Sequence, residues 1–132
     1  MFTATGTIQY RKDKTGLWVI AGIDQDIADY YLSLIPKYYK VKRTRWFAHA
    51  TILRPEENAP DTSSWGKYDG DTAQFVYDPC IFQENGYWWF NLWSKKMETI
   101  RLEFGLSIES RITIPPAGYS KCFHCTVGNI FE

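Results

Sequence analysis

The same order of elements is written twice along this chain: strand, turn, strand, helix, and then a strand that carries His-x-Thr. In the first half, residues 5–10 and 17–23 are short β-type runs around the polar stretch 11–16, which ends in Gly16 and predicts a hairpin. Asp24 or Asp26 then caps a helix in which Ile27, Tyr30, Tyr31, Leu34, Ile35 and Tyr38 recur at the spacing of one buried face. Pro36 kinks or shortens that helix. Residues 46–53, aromatic and β-branched at their ends, read as a strand with His49 inside it.

The polar stretch 54–70 holds prolines, glycines, Asn58, Asp61 and two serines, with only Trp65 and Tyr68 large and apolar, so it reads as a long loop and a candidate lid. Residues 72–77 and 87–93 form the second strand pair, with Glu84-Asn85-Gly86 as the turn signal. Ser94 caps a second helix holding Met97, Ile100, Arg101 and Phe104, and Gly105 ends it. Residues 108–120, containing Pro115-Pro116, read as an irregular connection or a short extra strand, and 121–130 as the last strand, bearing His124. From turn glycine to histidine is 33 residues in one half and 38 in the other. The reading is one α+β domain over 1–132, built from pseudo-repeat halves at about 1–53 and 71–132.

Side chains two apart on a strand share a face, so His49 projects with Thr51 and His124 with Thr126. The other faces are Trp46, Ala48, Ala50 and Ile52 in the first strand and Phe123, Cys125 and Val127 in the second, which suit a core. If the halves are related by a pseudo-two-fold, the two imidazoles flank a common point in a cleft. Cleaving a phosphodiester needs one group to accept a proton from the attacking oxygen and one to donate a proton to the leaving oxygen, and histidine suits both tasks near neutral pH. The threonine hydroxyls can donate to the non-bridging oxygens. A lone histidine on a strand is more often structural; here every histidine of the chain falls in the pattern.

The segments His49-Ala50-Thr51-Ile52-Leu53 and His124-Cys125-Thr126-Val127-Gly128, 75 residues apart, resemble the paired His-x-Thr/Ser-x-apolar motifs of the 2H phosphoesterase superfamily. The resemblance implies a bilobal α+β fold of two pseudo-symmetric halves, with antiparallel sheets around a central V-shaped cleft. It also implies no catalytic metal or cofactor, and substrates among 2′,3′-cyclic phosphates, 2′–5′ linkages and cyclic nucleotides. The short, Trp- and Tyr-rich chain further resembles compact phage anti-CBASS nucleases, which destroy the cyclic oligonucleotide signals of bacterial immunity. In that group a 2′-hydroxyl attacks the neighbouring phosphate and aromatic side chains stack on the bases. Two other readings stand beside it: an RNA-end phosphodiesterase acting on 2′,3′-cyclic phosphate or 2′–5′ ends, and a sponge that holds a cyclic nucleotide without cutting it.

Composition narrows the partners. Fifteen acidic and fifteen basic side chains give no net charge to draw long nucleic acid, and no apolar run reaches the roughly 20 residues that span a bilayer. Three cysteines without a leader-like N-terminus favour a reducing cytoplasm, the host bacterium's if the protein is phage-encoded. Cys122, His124 and Cys125 do not read as a zinc site, because neighbours on a strand point to opposite faces. With 17% aromatic residues, base stacking is open to Trp65 on the loop and to Tyr119 before the last strand. Arg43 and Arg45, in the basic run ahead of the first motif, are candidate phosphate-binding residues.

Overall fold

The computed structural model describes residues 1–55, 60–109 and 114–132, which form a seven-stranded antiparallel sheet and two α-helices. Strands β1 (Phe2–Asp13) and β2 (Gly16–Gly22) make the first hairpin, in which Asp13 pairs with Gly16 across a two-residue turn. The strands run further than the apolar pattern predicts because Asp13 makes the turn itself. Its carboxylate accepts a hydrogen bond from the Thr15 N–H at 2.8 Å, and Gly16 takes φ +133°. Arg11 and Lys12 therefore stay on the ladder instead of forming a loop.

Asp24 caps helix α1 (Gln25–Ser33), accepting from the Asp26 N–H at 2.9 Å. The helix stops ahead of Pro36, and a separate 3-10 turn, Lys37–Tyr39, follows. The expected six-residue apolar face is thus only partly used. Tyr31 is buried and Ile27 and Ile35 pack against the core, whereas Tyr30, Leu34 and Tyr38 are exposed. A short helix lying on the last strand meets the sheet along one narrow stripe, and Tyr38 falls beyond the proline, out of helical register.

Strand β3 (His49–Leu53) is shorter than expected, since the Thr44 hydroxyl donates to the Trp46 carbonyl at 2.7 Å and holds the approach as a bend. Trp46, expected on the core face, is consequently exposed. Strands β4 (Thr72–Tyr77), β5 (Phe82–Glu84) and β6 (Tyr87–Trp93) are followed by helix α2 (Lys95–Glu103) and strand β7 (Phe123–Asn129). The Glu84-Asn85-Gly86 turn, with φ of 52° and 84° at its last two residues, joins β5 to β6. The expected pairing of 72–77 with 87–93 survives only as Val76–Trp93 and Tyr77–Leu92, because β4 runs along β1. Three exposed residues in β5 left no apolar pattern to announce it.

Helix α2 follows expectation: the Ser94 hydroxyl accepts from the Met97 N–H at 3.3 Å, Gly105 takes φ +73° beyond its end, and Met97, Ile100 and Phe104 are buried. Of the stretch 54–70, residues 56–59, Asn58 among them, lie outside the described residues, as do 110–113 of the irregular connection. The described part, 60–70, is a strap tied to α2 and β1. Asp61 N–H donates to Phe104 O at 2.9 Å, Tyr68 Oη to Glu103 at 2.9 Å, and Gly70 N–H to Ile8 O at 2.8 Å.

The strands lie in the order β4-β1-β2-β3-β7-β6-β5, and the β4–β6 pairs bring the sheet round on itself. One face carries Ile8, Val19, Ala21, Ala50, Ile52, Phe90, Leu92, Phe123, Cys125 and Val127, all buried in a single cluster with residues of α1 and α2. The two histidine strands are neighbours near the middle of the sheet, and their alternate residues face away from that cluster. No helix among the described residues is long and apolar enough to cross a membrane.

Candidate active site

Ala50 pairs with Cys125 across β3 and β7. In an antiparallel ladder this register sets His49 opposite Thr126 and Thr51 opposite His124, all on the face away from the core. Side chains directly opposite have Cβ atoms about 5 Å apart, and the diagonal pair of histidines about 7–8 Å. The flanking strands extend both rows: Gly22 pairs with His49 and Trp89 with Thr126, while Ile20 pairs with Thr51 and Asn91 with His124.

The ring of His49 has a fixed tautomer. Its Nδ1 lies 2.9 Å from the Phe47 carbonyl, which can only accept, so Nδ1 carries the proton and Nε2 keeps its lone pair. Burial is the main cause that lowers the His49 pKa below the ordinary 6.5, with Arg54 and Arg11 pushing the same way and the Phe47 carbonyl opposing them. His124 keeps a solvent-exposed edge, yet its pKa is also lowered, first by the desolvation it does undergo and then by Arg54, Lys121 and His49. In both imidazoles the charged form is thus disfavoured, burial being the main cause.

Beside His124, a small cleft of about 80 Å³ is lined by Thr51, Arg54, Arg101, Lys121 and His124, and its lining does not include His49 or Thr126. Arg101 is buried on α2 and donates from Nη1 to the Ile52 carbonyl at 2.8 Å and from Nε to the Ser107 carbonyl at 2.8 Å, tying β3 to the helix. Glu98, also buried on α2, accepts from the N–H groups of Ser120 and Lys121 at 2.8 and 3.2 Å and so fixes the entry to β7. Aromatic rings flank the histidines. Trp46 and Phe47 lie 5.6 and 5.9 Å from the His49 ring, centre to centre, and Trp89 lies 6.2 Å from that of His124.

The structure thus brings His49, Thr51, His124 and Thr126 together on one face and gives the other candidates contacts of their own. Trp65 is half-buried and packs against Tyr10 at 5.0 Å and Phe104 at 6.2 Å. Tyr119 sits by the first turn of α2, with the Lys95 ammonium 5.6 Å from its ring. Arg43 is paired with Asp29 of α1 at 3.0 Å, and the backbone N–H of Arg45 donates to the Glu132 carboxylate. Arg54, Lys121, Arg11, Trp89 and Asn91 are not assigned to the site by the sequence, which reads Trp89 as core packing and Arg11 as part of a turn. Arg54 and Lys121 lie one and three residues from the motif segments and were open to notice; the others become visible only through strand pairing.

Cys125 is buried on the core face, and burial pushes its thiol up to about 12, which makes it inert as a nucleophile or ligand. Among the described residues no group of three or more His, Cys, Asp or Glu is placed to hold a metal ion. Comparison with known proteins finds no matching family model, no matching curated protein and no matching solved structure.

Proposed function

We propose that this chain is a metal-independent phosphodiesterase of the 2H type that cleaves cyclic oligonucleotide signals, and that it serves a phage in evading bacterial CBASS immunity. The observation that carries the reading is the meeting of both His-x-Thr pairs on one face of adjacent strands, through the Ala50–Cys125 register. The bilobal, pseudo-symmetric 2H arrangement belongs to this proposal. In its support, the β1–β2 hairpin leads into α1 and the β5–β6 hairpin into α2, and each helix precedes a histidine strand that pairs antiparallel with the second strand of its hairpin.

In this reading His49 is the base, because its Nε2 lone pair is held free by the Nδ1 bond to Phe47. A ribose 2′-oxygen attacks the phosphorus as its proton passes to His49 Nε2. The bond from phosphorus to the leaving oxygen breaks as protonated His124 gives that oxygen its proton. Thr51 and Thr126 donate to the non-bridging oxygens, and Arg54 offsets the charge that builds on them.

The test is to incubate the protein with EDTA and a panel of cyclic di- and trinucleotides, 2′,3′-cyclic mononucleotides and 2′–5′ oligoadenylate, following products by chromatography. Cleavage of cyclic oligonucleotides, lost in His124→Ala, supports the proposal. Cleavage of 2′,3′-cyclic ends alone points to RNA-end processing, and tight binding without cleavage would make the cleft a sponge.

A further inference from the structure

We propose that Arg11 forms a second anion subsite, on the outer side of His49, which binds a phosphate of the substrate other than the one that is cut. The substrate is then a nucleotide with at least two phosphodiester groups. This deepens the phosphodiesterase reading and rests on it for the identity of the scissile phosphate.

Strand pairing places Arg11 on the site's face of the sheet. Gln9 pairs with Ile20 and Ile20 with Thr51, so Gln9 lies in the same cross-strand row as Thr51, and Arg11, two residues on, projects from that face as well. Its guanidinium folds back toward the site. Nε and Nη2 donate to Gln9 Oε1 at 3.2 and 2.8 Å, and Cζ lies 5.1 and 5.3 Å from the ring centres of Trp46 and Phe47. These are the rings that flank His49, so the cation and the imidazole share one aromatic wall.

What holds Arg11 does not neutralise it. A neutral amide and two ring faces fix the half-buried guanidinium, and among the described residues no carboxylate stands within ion-pair distance of it. A long side chain bedded in this way has already lost much of its rotamer freedom, and its charge is left for an anion. The cations are also distributed in a telling way. Arg54 acts on both imidazoles, Lys121 on His124, and Arg11 on His49. One phosphate between the histidines has Arg54 as its counter-charge; a charge on the far side of His49 suits phosphates spaced around a larger ring.

The experiment measures binding of two probes to the intact protein by calorimetry, a 3′,3′-cyclic dinucleotide and a 2′,3′-cyclic mononucleotide, and kcat/KM for the dinucleotide, the probe whose free 2′-hydroxyl can attack its phosphate. Arg11→Met keeps the stem against Trp46 and removes the charge. It is expected to weaken the dinucleotide about 10- to 100-fold more than the mononucleotide, the worth of one charged hydrogen bond. It should also lower the slope of log Kd against log salt by about 0.7. Arg11→Lys should recover part of both, and Arg11→Gln replaces the methionine variant if thermal melts show that it has lost its fold.

Equal weakening of the two probes, or no weakening with an unchanged salt slope, would overturn the subsite. Arg11-dependent binding of the dinucleotide without any cleavage would uphold the subsite and sink the phosphodiesterase reading. Cleavage indifferent to Arg11 would do the reverse, and a wild-type protein that binds neither probe would overturn both.

Discussion

Ala50 on β3 and Cys125 on β7 face each other across the centre of the sheet, both wholly buried, and their pairing fixes which side chains meet on the opposite face. A slip of one residue would turn one histidine into the core. The small side chain of Ala50 leaves room for Cys125, and His49, Thr51, His124 and Thr126 gather on the other side as a result.

Removing either imidazole should stop turnover. His49→Ala and His124→Ala are each expected to lower kcat by at least about 10²–10⁴, the worth of a general acid or base, with unchanged circular dichroism and in the presence of EDTA. Thr51→Val and Thr126→Val should cost about 10²–10³ through loss of a hydrogen-bond donor to the phosphate. Single-turnover kinetics on a cyclic dinucleotide measures all four, and undiminished cleavage by either histidine variant would end the two-histidine mechanism.

The pH profile follows from the depressed histidines. The proposed mechanism needs one imidazole neutral and the other protonated, and both pKa values are lowered from 6.5 in the free protein, so the bell of kcat/KM should peak on the acid side of that value. Bound phosphate favours the imidazolium, so the kcat profile should lie at higher pH. Stability carries the matching sign. Below 6.5 the unfolded chain takes up protons that the folded site resists, so stability is complete above 6.5 and declines as pH falls through the folded values. Replacing both histidines by asparagine should flatten that decline in urea titrations made from pH 7.5 down to 5.

Glu98 holds the approach to β7 by accepting two backbone N–H groups. Glu98→Ala should cost about 1–3 kcal/mol in chemical denaturation, because both donors lose their partner. It should also raise KM, since Lys121 beside His124 loses its anchor. An unaltered midpoint would show that the carboxylate contributes nothing to this loop.

Trp65, carried by the strap, packs against Tyr10 and Phe104. Trp65→Ala is expected to destabilise the protein by about 2 kcal/mol, a partly buried version of an aromatic truncation, and to leave KM within about twofold. A large rise in KM at unchanged stability would return this ring to the substrate.

The elements with strong local signals were legible in the sequence. Asp24 and Ser94 as helix caps, Pro36 as a stop, Gly105 beyond α2 and the Asn85-Gly86 turn act through a few neighbouring backbone groups, and the structure keeps each of them. The same locality shows His49 with Thr51 and His124 with Thr126 on one face each, since strand alternation needs no partner.

Everything that depends on which strand lies beside which was decided by tertiary structure. Trp46 is left outside by a bend while Trp65, on the strap, is half-buried against Tyr10 and Phe104, because burial depends on what packs overhead and not on apolar character alone. Arg11 and Asn91 reach the site through pairings with β2 and β7, and Arg43 is lost to Asp29 on a helix 14 residues away in sequence. Two isolated His-x-Thr segments are chemistry without geometry. The long-range hydrogen-bonded register between β3 and β7 supplies the geometry, and no local pattern encodes it.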